Sequence, residues 1–296
     1  MIDDADPHAH DALFISYAQN REDVVLARAL AGVENGVYVE VGANHPRIDS
    51  VSRSFYDQGW HGLAIEPNPS FARLFREERP RDTVVEAAVT DRAESTLRFH
   101  VVDGTGLSTL DESIAARHRA DGFAVTELIV PTTRLDTAIA RSGLAGEVIH
   151  FMVIDAEGAE AAVLESIDLT ALRPWVLVVE STAPRTTTPT HTAWEPRVIA
   201  AGYEFCIFDG ISRYYVTTEK RAELGDALSY PACPIDRYIT ASELELKNEV
   251  VDVRRALDAE RSRRESAESQ LATMRHTVSW MITRPLRWVR RHVRHG

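Results

Sequence analysis

The run Gly36–Pro46, "GVYVEVGANHP", sets a carboxylate among the valines of a strand and ends the strand in a glycine. Glu40 interrupts Val37, Val39 and Val41, and Gly42 follows. A strand-end glycine lets the backbone turn sharply and lets a ligand approach with no Cβ in the way. Acids end three further apolar runs: Glu66 in "LAIEPNP", Asp155 in "HFMVID" and Glu180 in "PWVLVVE". An acid placed like Glu66, 24 residues beyond Gly42, can accept hydrogen bonds from both hydroxyls of a ribose. A dinucleotide site would carry G-x-G-x-x-G to bring a pyrophosphate against a helix N-terminus. Gly42-Ala43-Asn44-His45-Pro46 has a single glycine and a proline. Glu40 would repel a pyrophosphate and pair with an ammonium group. Taken alone, Glu40 is equally a strand residue paired with a nearby Arg. Together, Glu40, Gly42 and Glu66 point to a ligand with an amino acid end, a ribose and no phosphate, which is S-adenosylmethionine.

Those strand ends need a scaffold. Strand-like runs over Val37–Val41, Leu63–Glu66, Val84–Val89, Val148–Asp155 and Trp175–Glu180 alternate with helix-like runs over Ser50–Gln58, Ser70–Glu78, Arg134–Arg141 and Ala159–Ile167. This alternation indicates a mainly parallel sheet covered on both faces. Helical spacing also runs through "FISYAQNREDVVLARAL", where Val24, Val25, Ala27 and Leu30 share a face. "STLRFHVVDG" and "ELIVPTT" add two strands around a helix near Asp111–Ala120, and "YEFCIFDGISRYYVTTE" is two strands joined at Asp209-Gly210, a hairpin signal. The expected fold class is α/β. It is a Rossmann-like class I methyltransferase with a mainly parallel seven-stranded sheet, a terminal antiparallel hairpin and a C-terminal helical extension.

Between Phe14 and Thr217 the chain resembles the FkbM family of S-adenosylmethionine-dependent methyltransferases. The matching runs are "SYAQNREDVVL", "GVYVEVGANHP", "FYDQGWHGLAIEPNP", "RPRDTVVEAAV", "GLST", "VIDAEGAEAAVLE", "RPWVLVVE" and "GYEFCIFDGISRYYV". One departure is Glu40, where many relatives have Asp. The resemblance implies S-adenosylmethionine as donor and O-methylation of secondary-metabolite or sugar hydroxyls. It sets Glu40, Gly42, Ala43 and Asn44 around the methionine part, Glu66 on the ribose and Asn68 beside the adenine. Ala87 and Ala88 either leave room for the adenine ring or serve close helix packing. The resemblance also implies that Gln19 and Asp23, in the family's Q-x-x-E-D run, fold over the cofactor, with Glu22 there or on the helix surface.

A hydroxyl attacking the methyl carbon must be held in line and must lose its proton. Asp155 is the candidate base, because its strand lies beside the first strand and its end faces the transferred methyl. Glu157 either caps the next helix or serves the site. Glu180 shares the rim with Asp155, and two acids there can hold a divalent cation such as Mg²⁺ that lowers the pKa of the acceptor hydroxyl. His191 is an alternative base or an exposed loop residue, and His45 is similar. The loop Thr182–Trp194 reads as an acceptor lid, with Trp194 a platform for a sugar ring or a core residue.

A net charge of −12 over 296 residues excludes a general nucleic-acid binder, and two cysteines are too few for a disulfide framework or a Cys-based zinc site. The acidic start "MIDDADPHAHD" lacks the apolar core of a signal peptide, and no apolar run is long enough to span a bilayer. The expected location is cytoplasmic, with peripheral contact at the inner face of the membrane. The expected divisions are a polar leader 1–13, a methyltransferase domain 14–240, a charged helix or coiled coil 241–278 and a basic amphipathic tail 279–296. Leu246, Val250, Val253 and Leu257 trace a coiled-coil seam that Glu260 and Arg264 interrupt, so residues 243–278 form either a homo-oligomeric coiled coil or a lone solvated helix. In "HTVSWMITRPLRWVRRHVRHG" the apolar stripe and the five arginines from Arg284 to Arg294 are those of a helix on an anionic membrane, or else a frayed basic tail. With that tail, the expected acceptor is a sugar hydroxyl of a bacterial glycan or lipid-linked saccharide. The alternatives are a small secondary metabolite, or a non-catalytic scaffold in a glycan-assembly complex.

Overall fold

The computed structural model describes residues 13–102, 104–275 and 278–283. The leader up to residue 12 and the arginine-rich tail Arg284–Arg294 lie outside the described residues. The chain divides into two compact units, Met1–Thr240 and Ala241–Gly296.

In the first unit the elements follow in this order: β1 (Phe14–Ser16), α1 (Glu22–Ala29), β2 (Val37–Val41), α2 (Arg53–Asp57), β3 (His61–Ile65), α3 (Pro69–Glu78) and β4 (Thr83–Val85). Then come β5 (Ala88–Val89), β6 (Thr96–Val102), α4 (Glu112–Ala120), β7 (Val125–Thr133), α5 (Leu135–Arg141), β8 (Phe151–Ile154) and α6 (Glu160–Glu165). The unit ends with β9 (Val176–Glu180), α7 (Glu195–Ala200), β10 (Tyr203–Phe208), β11 (Ser212–Thr217), α8 (Arg221–Leu224) and β12 (Tyr238–Thr240).

Seven strands form the main sheet in the order β10-β11-β9-β8-β2-β3-β4. Strands β4, β3, β2, β8 and β9 are parallel, and β11 enters antiparallel between β9 and β10. All five residues of β2 are buried, because the strand is central and both of its faces are covered. The two-residue period sorts them. Val37, Val39 and Val41 join a core with Leu135, Ile139, Val163 and Val198, from helices α5, α6 and α7. Tyr38 faces the opposite core with Val25, Leu26, Phe55 and Leu224, from α1, α2 and α8. Glu40 shares the parity of Tyr38, so its carboxylate belongs to the α1–α2 side. The order reverses between β2 and β8, which opens a crevice at their C-terminal ends.

Two expected elements differ. The run Val84–Val89 is not one strand. Strand β4 ends at Val85 in the main sheet, and β5 pairs instead with β7 in a second sheet, order β5-β7-β6. The chain changes sheets at Glu86-Ala87, where the apolar run is broken. The stretch "FISYAQNREDVVLARAL" is not helical throughout either. Phe14–Ser16 pairs in parallel with Tyr238–Thr240, a partner more than 200 residues away that no local pattern reveals. Helix α1 begins only after Arg21, whose φ of 66° turns the chain.

The second unit contains α9 (Ala241–Arg275) and α10 (Val278–Ile282). No residue of α9 is buried in the single chain, and the seam residues Leu246, Val250, Val253 and Leu257 are all exposed. At the break in the seam, Glu260 pairs with Arg263 and Arg264 with Glu268 along the same helix. Among the described residues, no helix is long and apolar enough to cross a membrane.

Candidate active site

A cavity of about 930 Å³ lies at the C-terminal ends of β2, β3, β8 and β9. Gly42 turns the chain out of β2 with a φ of 76°, and its N–H and that of Ala43 both donate to the Ile65 carbonyl, at 3.0 and 3.2 Å. Asn44 is left-handed as well, with a φ of 52°, and its N–H reaches Glu66 Oε2 at 2.8 Å. Glu66 Oε1 accepts from Asn68 N at 2.6 Å. Glu66 therefore ties the loop after β2 to the loop after β3. Burial pushes its carboxyl up to about 7, against the pull of those two N–H groups. Glu40 accepts from the Ser52 hydroxyl; burial raises its pKa and the Arg79 guanidinium opposes the rise.

The opposite wall is acidic. Asp155 follows β8, Glu157 the turn after it, and Glu180 ends β9; one carboxylate oxygen from each lies within 4.8 Å of the others. Asp155 is exposed, its side chain opening onto the cavity, while Glu157 is half-buried and Glu180 buried. Glu180 is 7% exposed, and its Oε2 has no hydrogen-bond partner among the described residues; neither does Glu157 Oε2. Loss of water around the carboxyls and their mutual repulsion push all three up, together with the neighbouring Glu160. Glu160 closes the turn, accepting from Ala156 N at 3.1 Å and Gly158 N at 3.0 Å. Glu157 lines the cavity with a φ of 46°. Among the described residues, none of Asp155, Glu157 and Glu180 makes an ion pair.

Of the residues singled out in the sequence, Gln19, Glu40, Gly42, Ala43, Asn44 and Glu66 line this cavity, as do Ala88, Asp155 and Glu180. Three do not. Asp23 is fully buried behind the wall, where it accepts from Ser16 Oγ at 2.7 Å, Tyr17 N at 2.7 Å and Ala18 N at 3.2 Å, closing the turn from β1 to α1. Its neighbour Glu22 takes the cavity position, pushed up to about 8 by burial and by Asp209. Asn68 caps α3, accepting from Ser70 N at 3.0 Å, while Pro67 and Phe71 form the wall beside it. His191 lies in the short 3-10 turn His191–Ala193, 3.8 Å from Glu195 and outside the cavity wall. The loop after β9 folds back on itself, with Ala183 N on Thr188 O at 2.8 Å, so its tip Pro184–Thr187 reaches the cavity instead. Trp194 is a core residue set edge-on to Tyr215, and no sugar platform. His45 Nδ1 accepts from Arg47 N and Ile48 N within its own turn.

Sequence reasoning also missed the wall from Gly104 to Ser108, between β6 and α4. Two glycines inside "GTGLST" were the available signal. Arg185, which lines the cavity and pairs with Asp121 at 2.9 Å, gave no local sign.

A parallel sheet with one antiparallel strand slipped between its last two, and an acid-lined crevice at the switch point, define a Rossmann-like methyltransferase fold. The family model of the methyltransferase FkbM domain matches residues 40–205, more than half of the chain, and the chain belongs to this family. Similar solved structures include a methyltransferase FkbM from Methylobacillus flagellatus, with 14% identity, 62% of this chain and 43% of that one covered, and a TM-score of 0.37. The chain thus spans less than half the length of that protein. A TehB-like SAM-dependent methyltransferase from Corynebacterium glutamicum matches at 8% identity, covering 66% of this chain and 88% of that one, with a TM-score of 0.36. The 1,6-didemethyltoxoflavin-N1-methyltransferase of Burkholderia thailandensis, solved with S-adenosylhomocysteine, matches at 13% identity, covering 68% and 77%, with a TM-score of 0.32. No curated protein matches the sequence.

Proposed function

We propose that the chain transfers a methyl group from S-adenosylmethionine to a hydroxyl oxygen. The observation that carries this reading is one cavity that unites Glu40, the Gly42–Asn44 turn and Glu66 with the acidic rim of Asp155 and Glu180. When bound, S-adenosylmethionine supplies an electrophilic methyl carbon. Glu40 pairs with the donor's ammonium group, and Glu66 accepts from the ribose hydroxyls. Ala87 and Ala88, both in the cavity wall, leave room for the adenine. Asp155 takes the acceptor's proton. A carboxylate whose pKa is raised toward neutrality suits that task better than one at its ordinary value. Among the described residues, seven acids line the cavity against one cation, Arg185, which disfavours phosphorylated ligands.

Asp155, Glu157 and Glu180 also fit a divalent cation: three oxygen donors within reach of one point, with a buried Glu180 oxygen left unpartnered. A cation there would lower the pKa of an acceptor hydroxyl. The acceptor is proposed to be a sugar hydroxyl on a glycan or lipid-linked saccharide, reached at an anionic membrane through the arginines of residues 284–294. A small secondary metabolite is the alternative. The test is transfer of labelled methyl to extracted glycans, followed by linkage analysis. Asp155→Asn should cut turnover by roughly 10²–10⁴-fold while changing donor affinity far less. EDTA should abolish the activity and Mg²⁺ restore it. Unchanged turnover in Asp155→Asn would remove Asp155 as the base. Failure to bind S-adenosylmethionine or S-adenosylhomocysteine would turn the reading to a scaffold.

A further inference from the structure

We propose that Arg79 is a positioning residue of the donor site, holding Glu40 ionised and in place through Ser52 from behind the cavity wall. The inference rests on the reading of Glu40 as the partner of the donor's ammonium group.

Arg79 follows α3 and is completely buried. Each of its five N–H groups has an acceptor. Nε donates to Asp82 Oδ2 at 2.8 Å. Nη1 donates to the Pro46 carbonyl at 3.3 Å and Ser50 Oγ at 3.2 Å. Nη2 donates to the Tyr38 hydroxyl and Ser52 Oγ, both at 2.7 Å. The Phe75, Tyr56 and Tyr38 rings surround the guanidinium at 4.8, 5.1 and 5.6 Å from their centroids. Pro46, Ser50 and Ser52 all belong to the segment that leaves the Gly42 turn, so one side chain fixes the outer course of that loop. A lysine, with three donors on a flexible stem, cannot make this pattern.

The chain of donors has a direction. Arg79 donates to Ser52 Oγ, and Ser52 in turn donates to Glu40. A hydroxyl that accepts from a cation is a stronger donor to the next group. The charge count points the same way. Arg79 and Asp82 alone would make a neutral buried pair. Glu40 adds a second carboxylate, so the network carries one surplus negative charge, and Glu40 is its member that lines the cavity. Among the described residues, the other charged groups that act on Glu40 are Asp82 after α3, Glu66 after β3 and Asp155 after β8, all acids that oppose its ionisation. Arg79 is the cation that counters them.

The test is calorimetry of the full chain with two ligands, S-adenosylhomocysteine and 5′-methylthioadenosine, from pH 6 to 9. The second ligand keeps adenine and ribose but has no amino acid end. Ser52→Ala removes the relay hydroxyl. It should weaken S-adenosylhomocysteine about tenfold or more at pH 7, the scale of one hydrogen bond to a charged group, and the loss should shrink as pH rises, because a carboxyl that burial raises ionises more readily at higher pH. Arg79→Lys should lose at least as much and recover less, because the loop contacts are gone too. Neither variant should change the affinity for 5′-methylthioadenosine by more than about twofold. Equal loss for both ligands would reduce Arg79 to a structural role, and no loss for either would remove the relay; both results overturn the proposal. If Arg79→Lys does not fold, Ser52→Ala decides alone. If the wild type binds neither ligand, the donor reading itself has failed.

Discussion

Gly42→Ala perturbs the point where the donor loop and the acid rim meet. A Cβ built on Gly42 would lie 1.7 Å from the Asp155 carbonyl oxygen and 2.9 Å from its carbonyl carbon. Both are backbone atoms, so no rotamer change relieves the overlap. Carbon and oxygen need about 3.3 Å, so the two chains must separate by roughly 1.5 Å. That movement would break the bond from Asp155 N to Val41 O, now 3.0 Å, which seats β8 against β2. Two costs combine. The left-handed φ costs an alanine about 1–2 kcal/mol, and forcing extra volume into packed structure about 1–3 kcal/mol. A total of roughly 2–5 kcal/mol lowers the melting temperature of a domain this size by about 5–15 °C.

Gly143→Ala is the matched control. Its φ is 89°, and nothing stands within 4 Å of its added Cβ, so it reports the backbone cost alone. Scanning calorimetry of both variants separates the two costs, and titration with S-adenosylhomocysteine reads the site. Gly42→Ala should melt well below Gly143→Ala and lose donor binding, while Gly143→Ala binds as wild type. Equal melting points with intact binding in Gly42→Ala would refute the claim that this contact fixes the site.

Three further outcomes follow from the same geometry. Burial raises Glu66 to about 7 and Glu22 to about 8, and raises the Asp155 cluster. The stability these groups contribute in protonated form is full below the unfolded value near 4.5 and is lost as pH rises through 7 and 8. The urea midpoint of the ligand-free protein should therefore fall between pH 6 and 8.5, and a midpoint that rises across that window contradicts the burial argument. Glu66→Ala should weaken S-adenosylhomocysteine by roughly 2–4 kcal/mol, the scale of two hydrogen bonds to a charged group partly replaced by water; a wild-type titration would remove Glu66 from the ribose. The full chain should co-sediment with anionic liposomes and not neutral ones, less so as salt shortens the screening length to about 10 Å at 0.1 M; indifference to anionic liposomes at low salt ends the membrane proposal.

Strand-end residues were legible in the sequence because a two-residue period and a parallel sheet leave little freedom. Once Val37–Val41 is a central strand, Gly42 must sit at its C-terminal edge, and Glu66 and Asp155 must sit at the edges beside it. Legibility ended where a single dihedral or a distant partner decides. The left-handed Arg21 sets the phase of α1, so Glu22 lines the cavity and Asp23 is buried behind it, where the resemblance sets Asp23 at the cofactor and leaves Glu22 open. The loop after β9 doubles back through backbone bonds between Ala183 and Thr188, which substitutes Arg185 for His191 at the cavity. Arg79 looks like an ordinary cation at a helix end, yet its partners come from β2, from the loop after it and from Asp82.

The buried charges make a single argument. Among the described residues the cavity sets seven acidic side chains against one cation, and loss of water and mutual repulsion push several of those carboxyls toward their protonated forms when no ligand is bound. A ligand that brings positive charge draws them back to their ionised forms and releases protons. On the proposed reading the donor carries such charge twice, on its sulfonium and its ammonium. Transfer of the methyl removes the sulfonium charge. The acids that favour donor entry therefore hold the product less firmly, and the proton left by the acceptor has a raised carboxyl, Asp155, to receive it. Binding, proton removal and release then depend on one electrostatic feature, with Glu40 and Asp155 on two adjacent strands of the same sheet.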